Sequence, residues 1–165
     1  MQIILSASAC LSLKLQGNLK MNVKITKAIS EEDISACMSI RRKVFIEGQN
    51  IPEEIEMDKY DAESDHYILK IDSAPVGAAR VRYLGDESKI QRVAILDEYQ
   101  GKGLGRKLMQ YIIEDIIKKN VAKSMILSSQ VHAIPFYESL GFIVSSEEYM
   151  EAGIKHKDMC KNVQN

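Results

Sequence analysis

Apolar and polar residues alternate over Val23-Lys24-Ile25-Thr26-Lys27, which predicts a first strand. The period then changes. Ile34, Cys37, Met38, Arg41, Val44 and Phe45 recur at helical spacing behind Ser30, a capping hydroxyl followed by Glu31, Glu32 and Asp33. This helix is expected to run to about Glu47, with Gly48 ending it. Strands follow at His66–Ile71, Val76–Leu84 and Glu87–Leu96, separated by turn residues Asp72-Ser73-Ala74-Pro75 and Gly85-Asp86. In the last of these strands the alternation slips by one place: Ile90 is apolar at an even position, Val93 and Ile95 at odd ones. A parity shift of one residue is the mark of a β-bulge, which would free backbone groups there.

A second helix is predicted up to Lys119, with Leu104, Leu108, Ile112 and Ile116 in one apolar column and Met109, Ile113 and Ile117 in the next. Lys118 and Lys119 suit its C-terminal dipole, and Asn120 can cap it. Ser124-Met125-Ile126-Leu127 is a further strand; strand, helix, strand implies parallel pairing through a right-handed crossover. A short helix over Val131–Leu140 ends at Gly141, and Phe142-Ile143-Val144 starts another strand. Segments 148–150 and 154–159 read as a terminal hairpin or edge pair.

The stretch Gln100-Gly101-Lys102-Gly103-Leu104-Gly105 joins the bulged strand to the long helix. Three glycines in five positions let backbone N–H groups approach a ligand closely. Those groups open a helix N-terminus, where a phosphate or diphosphate sits well. Lys102 and Arg106 add positive charge. A P-loop would need Gly-Lys-Ser/Thr, and Lys102 is followed by Gly103. A dinucleotide fingerprint fails as well, since the sixth residue from Gly103 is Leu108 and from Gly101 is Arg106. Taken alone, such a turn is also compatible with a plain connection.

A chain of 165 residues suits one domain with a buried core. A net charge of -1 argues against a dedicated nucleic-acid binder. No apolar run approaches the roughly 18 residues a membrane span needs. Three widely spaced cysteines, Cys10, Cys37 and Cys160, suggest reduced thiols in a cytoplasmic protein. Residues 1–20 read differently from the rest: Ala7-Ser8-Ala9 faintly resembles a cleavage site, but the first lysine is Lys14, and residues 11–15 alternate like an added edge strand. They are taken as an N-terminal extension before a domain spanning 21–165, with Met21 as an alternative start. Between Glu47 and Asp65 lie eight acids and one base, Lys59. That stretch reads either as a solvated acidic loop or as a cation-attracting rim beside an amine site.

The pattern Gln100-x-x-Gly103-x-Gly105 resembles the diphosphate-binding loop of the GNAT acetyltransferases. A second match, Ala133-Ile134-Pro135-Phe136-Tyr137-Glu138-Ser139-Leu140-Gly141-Phe142, resembles the A-x-x-F-Y-x-x-x-G-F segment of the same family. Arg42–Gln49, Pro52, Glu56, Asp58, Asp61 and His66, with Glu151-Ala152-Gly153-Ile154-Lys155-His156, are similar to the ElaA/YjcF-like subgroup. Two departures stand out: Lys155 replaces the subgroup's usual proline, and Gln130 stands where many relatives carry Asn. The resemblance spans about Met21 to Met159. It implies a single-domain α/β fold of mixed character, with a central mixed sheet of about six to seven strands and helices on both faces.

It further implies acetyl transfer from acetyl-coenzyme A to a primary amine of a small molecule or peptide, by direct transfer and without a metal. The coenzyme would be held by Gln100, Gly101, Lys102, Gly103, Leu104, Gly105 and Arg106, by the strand backbone at Val93, Ala94 and Ile95, and by Gln130 and Phe136. A backbone N–H near Val93 or Ala94 would stabilise the developing oxyanion. Tyr137 resembles the family's general acid; a phenol pKa of about 10 against about 8.5 for a thiol makes full proton transfer uphill by about 2 kcal/mol. Glu47, His66 and His156 are candidates for the group that takes the amine's proton, and each histidine also reads as a surface or core residue. His66, His132, His156 and the cysteines lack the spacing of a zinc site. Two other readings stay open at this point: a non-catalytic acetyl-coenzyme A sensor of the same fold, and a nucleotide-binding α/β protein disfavoured by the loop spacing. An edge strand at either terminus would suit a homodimer.

Overall fold

The computed structural model describes residues 21–163. Eight strands form one sheet in the order β1-β2-β3-β4-β5-β8-β6, with β7 pairing β8. They are β1 (Val23–Ala28), β2 (Asp65–Ile71), β3 (Ala74–Leu84), β4 (Glu87–Ile95), β5 (Ser124–Gln130), β6 (Ile143–Val144), β7 (Tyr149–Glu151) and β8 (Ile154–Asn162). The count exceeds six to seven because the short β6 and β7 both join the sheet through β8. All contacts are antiparallel except β4 with β5, the parallel pair expected from the crossover helix.

Helices cover both faces. The helix α3 (Leu104–Lys119) buries Leu104, Leu108, Met109, Ile112, Ile113 and Ile116 against Tyr67, Leu69, Val81, Ile90, Met125 and Leu127. The opposite face takes α1 (Glu31–Arg41), whose Cys37 and Ile40 pack on Ile68, Ala78 and Ala94. Tyr67 and Leu69 thus face one layer and Ile68 the other, as the two-residue period of a strand requires. Both cysteines in the described residues, Cys37 and Cys160, are free thiols.

Ser30 caps α1 as expected, its hydroxyl accepting from the Asp33 N–H at 3.1 Å. The predicted stop at Gly48 is not where the helix ends. The chain continues through a wider π-helical stretch, Arg42–Glu47, and passes Gly48 in right-handed helical conformation. Asn50, at φ 54°, turns the chain out. Asn tolerates the left-handed region, which is why it could replace the glycine stop. At the far end of α3, Asn120 caps at φ 51°, as predicted.

The β2–β3 turn is tighter than the sequence suggests. Asp72 and Ser73 both take positive φ, the two-residue geometry that matches strand twist, so Ala74 and Pro75 already belong to β3. The short helix after β5 divides into a tight turn at Val131–Ala133 and α4 (Ile134–Glu138). A further one-turn helix, α2 (Glu53–Glu56), lies within the acidic stretch.

Candidate active site

The site begins with a split in the sheet. Strands β4 and β5 pair only over Glu87–Lys89 with Ser124–Ile126. Beyond Lys89 they part, β4 staying with β3 and β5 with β8. The upper half of β4 therefore has an edge without a strand partner on the β5 side. The expected bulge lies in that half. Ala78 faces Ala94 and Arg80 faces Gln91, so two residues of β3 span three of β4. The extra residue falls at Arg92–Val93, and Arg92 takes φ 56°. Behind the free edge the backbones are very close: a Cβ on Gly77 would stand 2.6 Å from Ile95 Cδ1 and 3.3 Å from the Ala94 carbonyl oxygen.

A cavity of about 680 Å³ occupies the split. Of the predicted residues, Val93–Ile95, Gln100, Gly101, Gly103–Arg106, Gln130, Phe136, Tyr137 and His156 all line it. The glycine loop closes one end. Gly101 and Gly103 take φ 71° and 73°, and a Cβ on either would meet nothing within 4 Å, so the loop presents bare backbone to open space. No side chain caps the first turn of α3, which leaves its leading N–H groups available. Gln100 serves the loop rather than the space beside it: its amide donates to the Ile95 carbonyl at 3.0 Å and to Asp97 Oδ1 at 2.9 Å. Lys102, outside the cavity lining, donates to the Glu98 carbonyl at 2.8 Å and lies over the Tyr99 ring. Arg106 ties α3 to α4 by donating to Ser139 Oγ at 2.6 Å.

Tyr137 projects from α4, its ring held edge-on by Phe136 and Phe142. Burial pushes its phenol up to about 12. His156 comes from β8, opposite Gln130 in one direction and Tyr149 in the other. It is 9% exposed, and its Nδ1 lies 2.9 Å from the Ile154 carbonyl oxygen. A carbonyl only accepts, so Nδ1 carries a proton and Nε2 is the ring nitrogen left outside that contact. Gln130, the departure from the usual Asn, donates to Gln49 Oε1 at 2.8 Å and links β5 to the end of the first helix.

The structure does not bring Glu47 or His66 to this cavity. Glu47 is exposed on the outer side of the π-helical stretch. His66 is 3% exposed, and its Nε2 lies 2.8 Å from the Asp61 carbonyl oxygen. Its place on β2, two strands from the split, makes it a core residue. His132 does line the cavity, at the turn before α4.

Neither reading of the acidic stretch describes its central acids. Glu56, Asp58 and Asp61 are bound by three arginines brought from α1, β3 and β4. Arg41, wholly buried, donates to Glu56 Oε1 at 2.7 Å and to Asp61 Oδ1 at 2.6 Å. Arg80, also wholly buried, donates to Asp58 Oδ1 at 2.7 Å and Asp61 Oδ1 at 2.8 Å. Arg92, the bulge residue, pairs with Glu56 Oε2 at 2.8 Å and donates to the Ile55 carbonyl at 2.8 Å. Burial alone would raise Asp58 and Asp61, but the arginine hydrogen bonds outweigh it and hold both below the ordinary carboxylate range. For the more deeply buried Glu56, burial outweighs the arginines and its carboxyl is raised. Sequence reading did not identify Arg92 as part of the site; its only trace is the slipped alternation around it.

A second group missed from sequence lies across the cavity. Tyr149 shares a hydrogen bond with Ser128 Oγ, donates to Asp158 Oδ1 at 2.7 Å, and stacks on His156. Ser128 Oγ also lies 3.3 Å from Glu151 Oε2, an alternative acceptor for its single proton.

Residues 25–163 match the family described as acetyltransferase (GNAT) domain. The chain belongs to the GNAT acetyltransferase family. By family it is an N-acetyltransferase, and acyl transfer is its general chemistry. It is 33% identical over 141 residues to the "Uncharacterized N-acetyltransferase YjcF" of Bacillus subtilis (strain 168), covering 85% of this chain and 100% of that one. It is 30% identical over 139 residues to the protein ElaA of Escherichia coli (strain K12), covering 82% and 91%. The crystal structure of Escherichia coli ElaA superposes with a TM-score of 0.77 at 26% identity, covering 86% of this chain and 99% of that one. A GNAT acetyltransferase of Elizabethkingia anophelis, solved with acetyl-CoA bound, shares the fold at a TM-score of 0.68 and 15% identity, covering 86% and 98%. The departure at position 155 is exposed in this chain, where Lys155 pairs with Glu148 at 2.8 Å. Among the described residues no helix is long and apolar enough to cross a membrane.

Proposed function

We propose that this N-acetyltransferase moves an acetyl group from acetyl-coenzyme A to a primary amine of a small molecule or peptide, by direct transfer. The observation that carries the reading is the shared cavity: the glycine loop, the unpaired edge of β4 and the Tyr137 side chain all face one space of about 680 Å³. The fit to the coenzyme rests on bare backbone. Uncapped N–H groups at residues 101–106 suit a diphosphate. The free edge at Val93–Ile95 suits the amides of an extended pantetheine arm, as an added strand would. The same coenzyme is bound by the Elizabethkingia anophelis fold neighbour.

When bound, acetyl-coenzyme A supplies an activated acyl group as a thioester. The chain's own part has three elements. The bulge at Arg92–Val93 turns backbone out of the ladder, and a Val93 or Ala94 N–H is the donor for the carbonyl oxygen as it gains charge. His156 Nε2 takes the proton that the amine nitrogen loses as its bond to the acyl carbon forms. Tyr137 gives its hydroxyl proton toward the sulfur as the carbon–sulfur bond breaks. With its phenol near 12 against about 8.5 for a thiol, full transfer is uphill by about 5 kcal/mol, so Tyr137 acts mainly as a hydrogen-bond donor until the thiolate has formed.

The test is thiol release across an amine panel, with Tyr137→Phe beside the parent chain and coenzyme affinity titrated in parallel. Turnover is expected to fall by about 100-fold or more, the range of general acid catalysis, with coenzyme affinity changed by less than about threefold. Unchanged turnover in Tyr137→Phe removes the acid role.

A further inference from the structure

We propose that the acceptor is a primary amine that also carries a carboxylate, and that Lys89 binds that carboxylate. The inference rests on the reading of amine acetylation above and names the acceptor's class. It starts from the charges left in the cavity once internal pairs are set aside. Glu56 and Arg92 line the cavity but bind each other. Arg106 belongs to the glycine-loop end and is tied to Ser139. Two charged side chains of the lining remain: Lys89 on β4 and Glu151 on β7.

Lys89 stands where the two strands part. It is the last β4 residue paired with β5, opposite Ile126. On its other side it faces Arg82 across the β3–β4 ladder. Two like charges directly opposite each other cost stability unless an anion lies between or beside them. Arg82 stacks its guanidinium over the Tyr60 ring, 3.5 Å from the centroid. Among the described residues neither Lys89 nor Arg82 has a carboxylate within ion-pair distance. Acids are plentiful one helix away, yet all three central ones are committed to Arg41, Arg80 and Arg92. The cavity lining therefore includes a cation for which the described residues supply no anion.

The proton-accepting groups lie at a matching distance. Ser128 is two residues beyond Ile126 on β5 and so projects from the same face. Its backbone is about 8 Å from that of Lys89, from strand spacing and rise. Ser128 Oγ lies between the Tyr149 hydroxyl and Glu151 Oε2, and His156 stacks on Tyr149. An amine placed by Glu151 and His156 would leave a carboxylate on the same small molecule within reach of the Lys89 ammonium. A diamine would bring its second cation against Lys89 and Arg82.

The experiment compares matched acceptors on the full-length chain: amino acids with the amine α, β or γ to the carboxylate, their carboxamides, and diamines of equal length. For at least one spacing, kcat/KM for the carboxylate is expected to exceed that for its amide by about tenfold or more. Lys89→Met should bring that ratio to within about threefold of unity, and Lys89→Glu should favour the diamine. The control Lys118→Met, at an exposed position on α3, should leave the ratio unchanged. A parent enzyme that prefers the amides or diamines at every spacing overturns the proposal. So does a Lys89→Met change that lowers both members of each pair equally. Turnover of some amines without charge preference removes only this inference. No thiol release from any amine removes the reading of amine acetylation with it.

Discussion

Arg80 and Lys89 stand on the same face of the sheet, on neighbouring strands, and their fates differ. Arg80 is wholly buried and closes on Asp58 and Asp61. Lys89 is half-buried, borders the cavity and meets no acid among the described residues. The first belongs to a set in which three arginines and three carboxylates pair with one another, although Arg80 Nε is buried without a partner among the described residues. The work of that set is to pin the segment around α2 to the bulge of β4 through Arg92. The second belongs to the cavity lining, where Lys89 has no acid within ion-pair distance among the described residues. Paired charges in this protein describe its architecture, and unpaired ones describe its appetite.

The sharpest way to break that comparison is to remove one member from each side. Arg41→Ala leaves Glu56 and Asp61 with a lost buried partner, and a broken buried pair typically costs about 3–5 kcal/mol. Chemical denaturation should show a loss of that size. Glu151→Ala, in the cavity lining, should stay within about 0.5 kcal/mol of the parent. Equal losses for the two would abolish the distinction between closed and open charge.

The glycine loop, the first column of α3 and the β4 bulge were legible because each is a local pattern; the second column holds at Met109 and Ile113, but Ile117, near the helix end, is exposed. The Tyr137 segment was legible too, since its residues are contiguous. The acid cluster was seen but misread, because its partners are far off in the chain: Arg41 lies 15 residues before Glu56, and Arg92 lies 36 after it. Nothing in the run from Glu47 to Asp65 announces that three arginines will be folded onto it. His66 failed as a site candidate for the same reason. Its position on β2 was foreseen, but its distance from the split depends on strand order, which alternation does not encode. Gly48 was a poor helix stop because the choice between Gly48 and Asn50 is made by the widened turn preceding both.

A smaller effect tests the open side at the coenzyme end. Gly103 takes φ 73°, and a Cβ there would touch nothing within 4 Å. Gly103→Ala should therefore destabilise by the backbone term alone, about 1–2 kcal/mol, with no clash to add. The same methyl group would stand in the space where a diphosphate is proposed to lie. Titration should show coenzyme affinity reduced by about tenfold, well beyond what a loop remote from the ligand would show. Affinity unchanged alongside lowered stability would place the diphosphate elsewhere.

The smallest effect concerns acid. Asp58 and Asp61 are held below the ordinary carboxylate range in the folded chain. A depressed carboxyl contributes stability above its unfolded value, about 3.9, and loses it as pH falls through the lower folded value. Glu56 has the opposite sign: its raised carboxyl contributes below the unfolded value of about 4.3 and loses that contribution as pH rises through the folded one. The two act in different windows: Glu56 adds stability as pH falls toward about 4.3, and Asp58 and Asp61 lose it only below about 3.9. Denaturation midpoints should thus rise slightly as pH falls toward about 4 and fall below that. Asp61→Asn should flatten the acid limb, because one of the depressed carboxyls is gone. An acid limb that keeps its slope in Asp61→Asn would mean that the closed network carries no special share of the acid response.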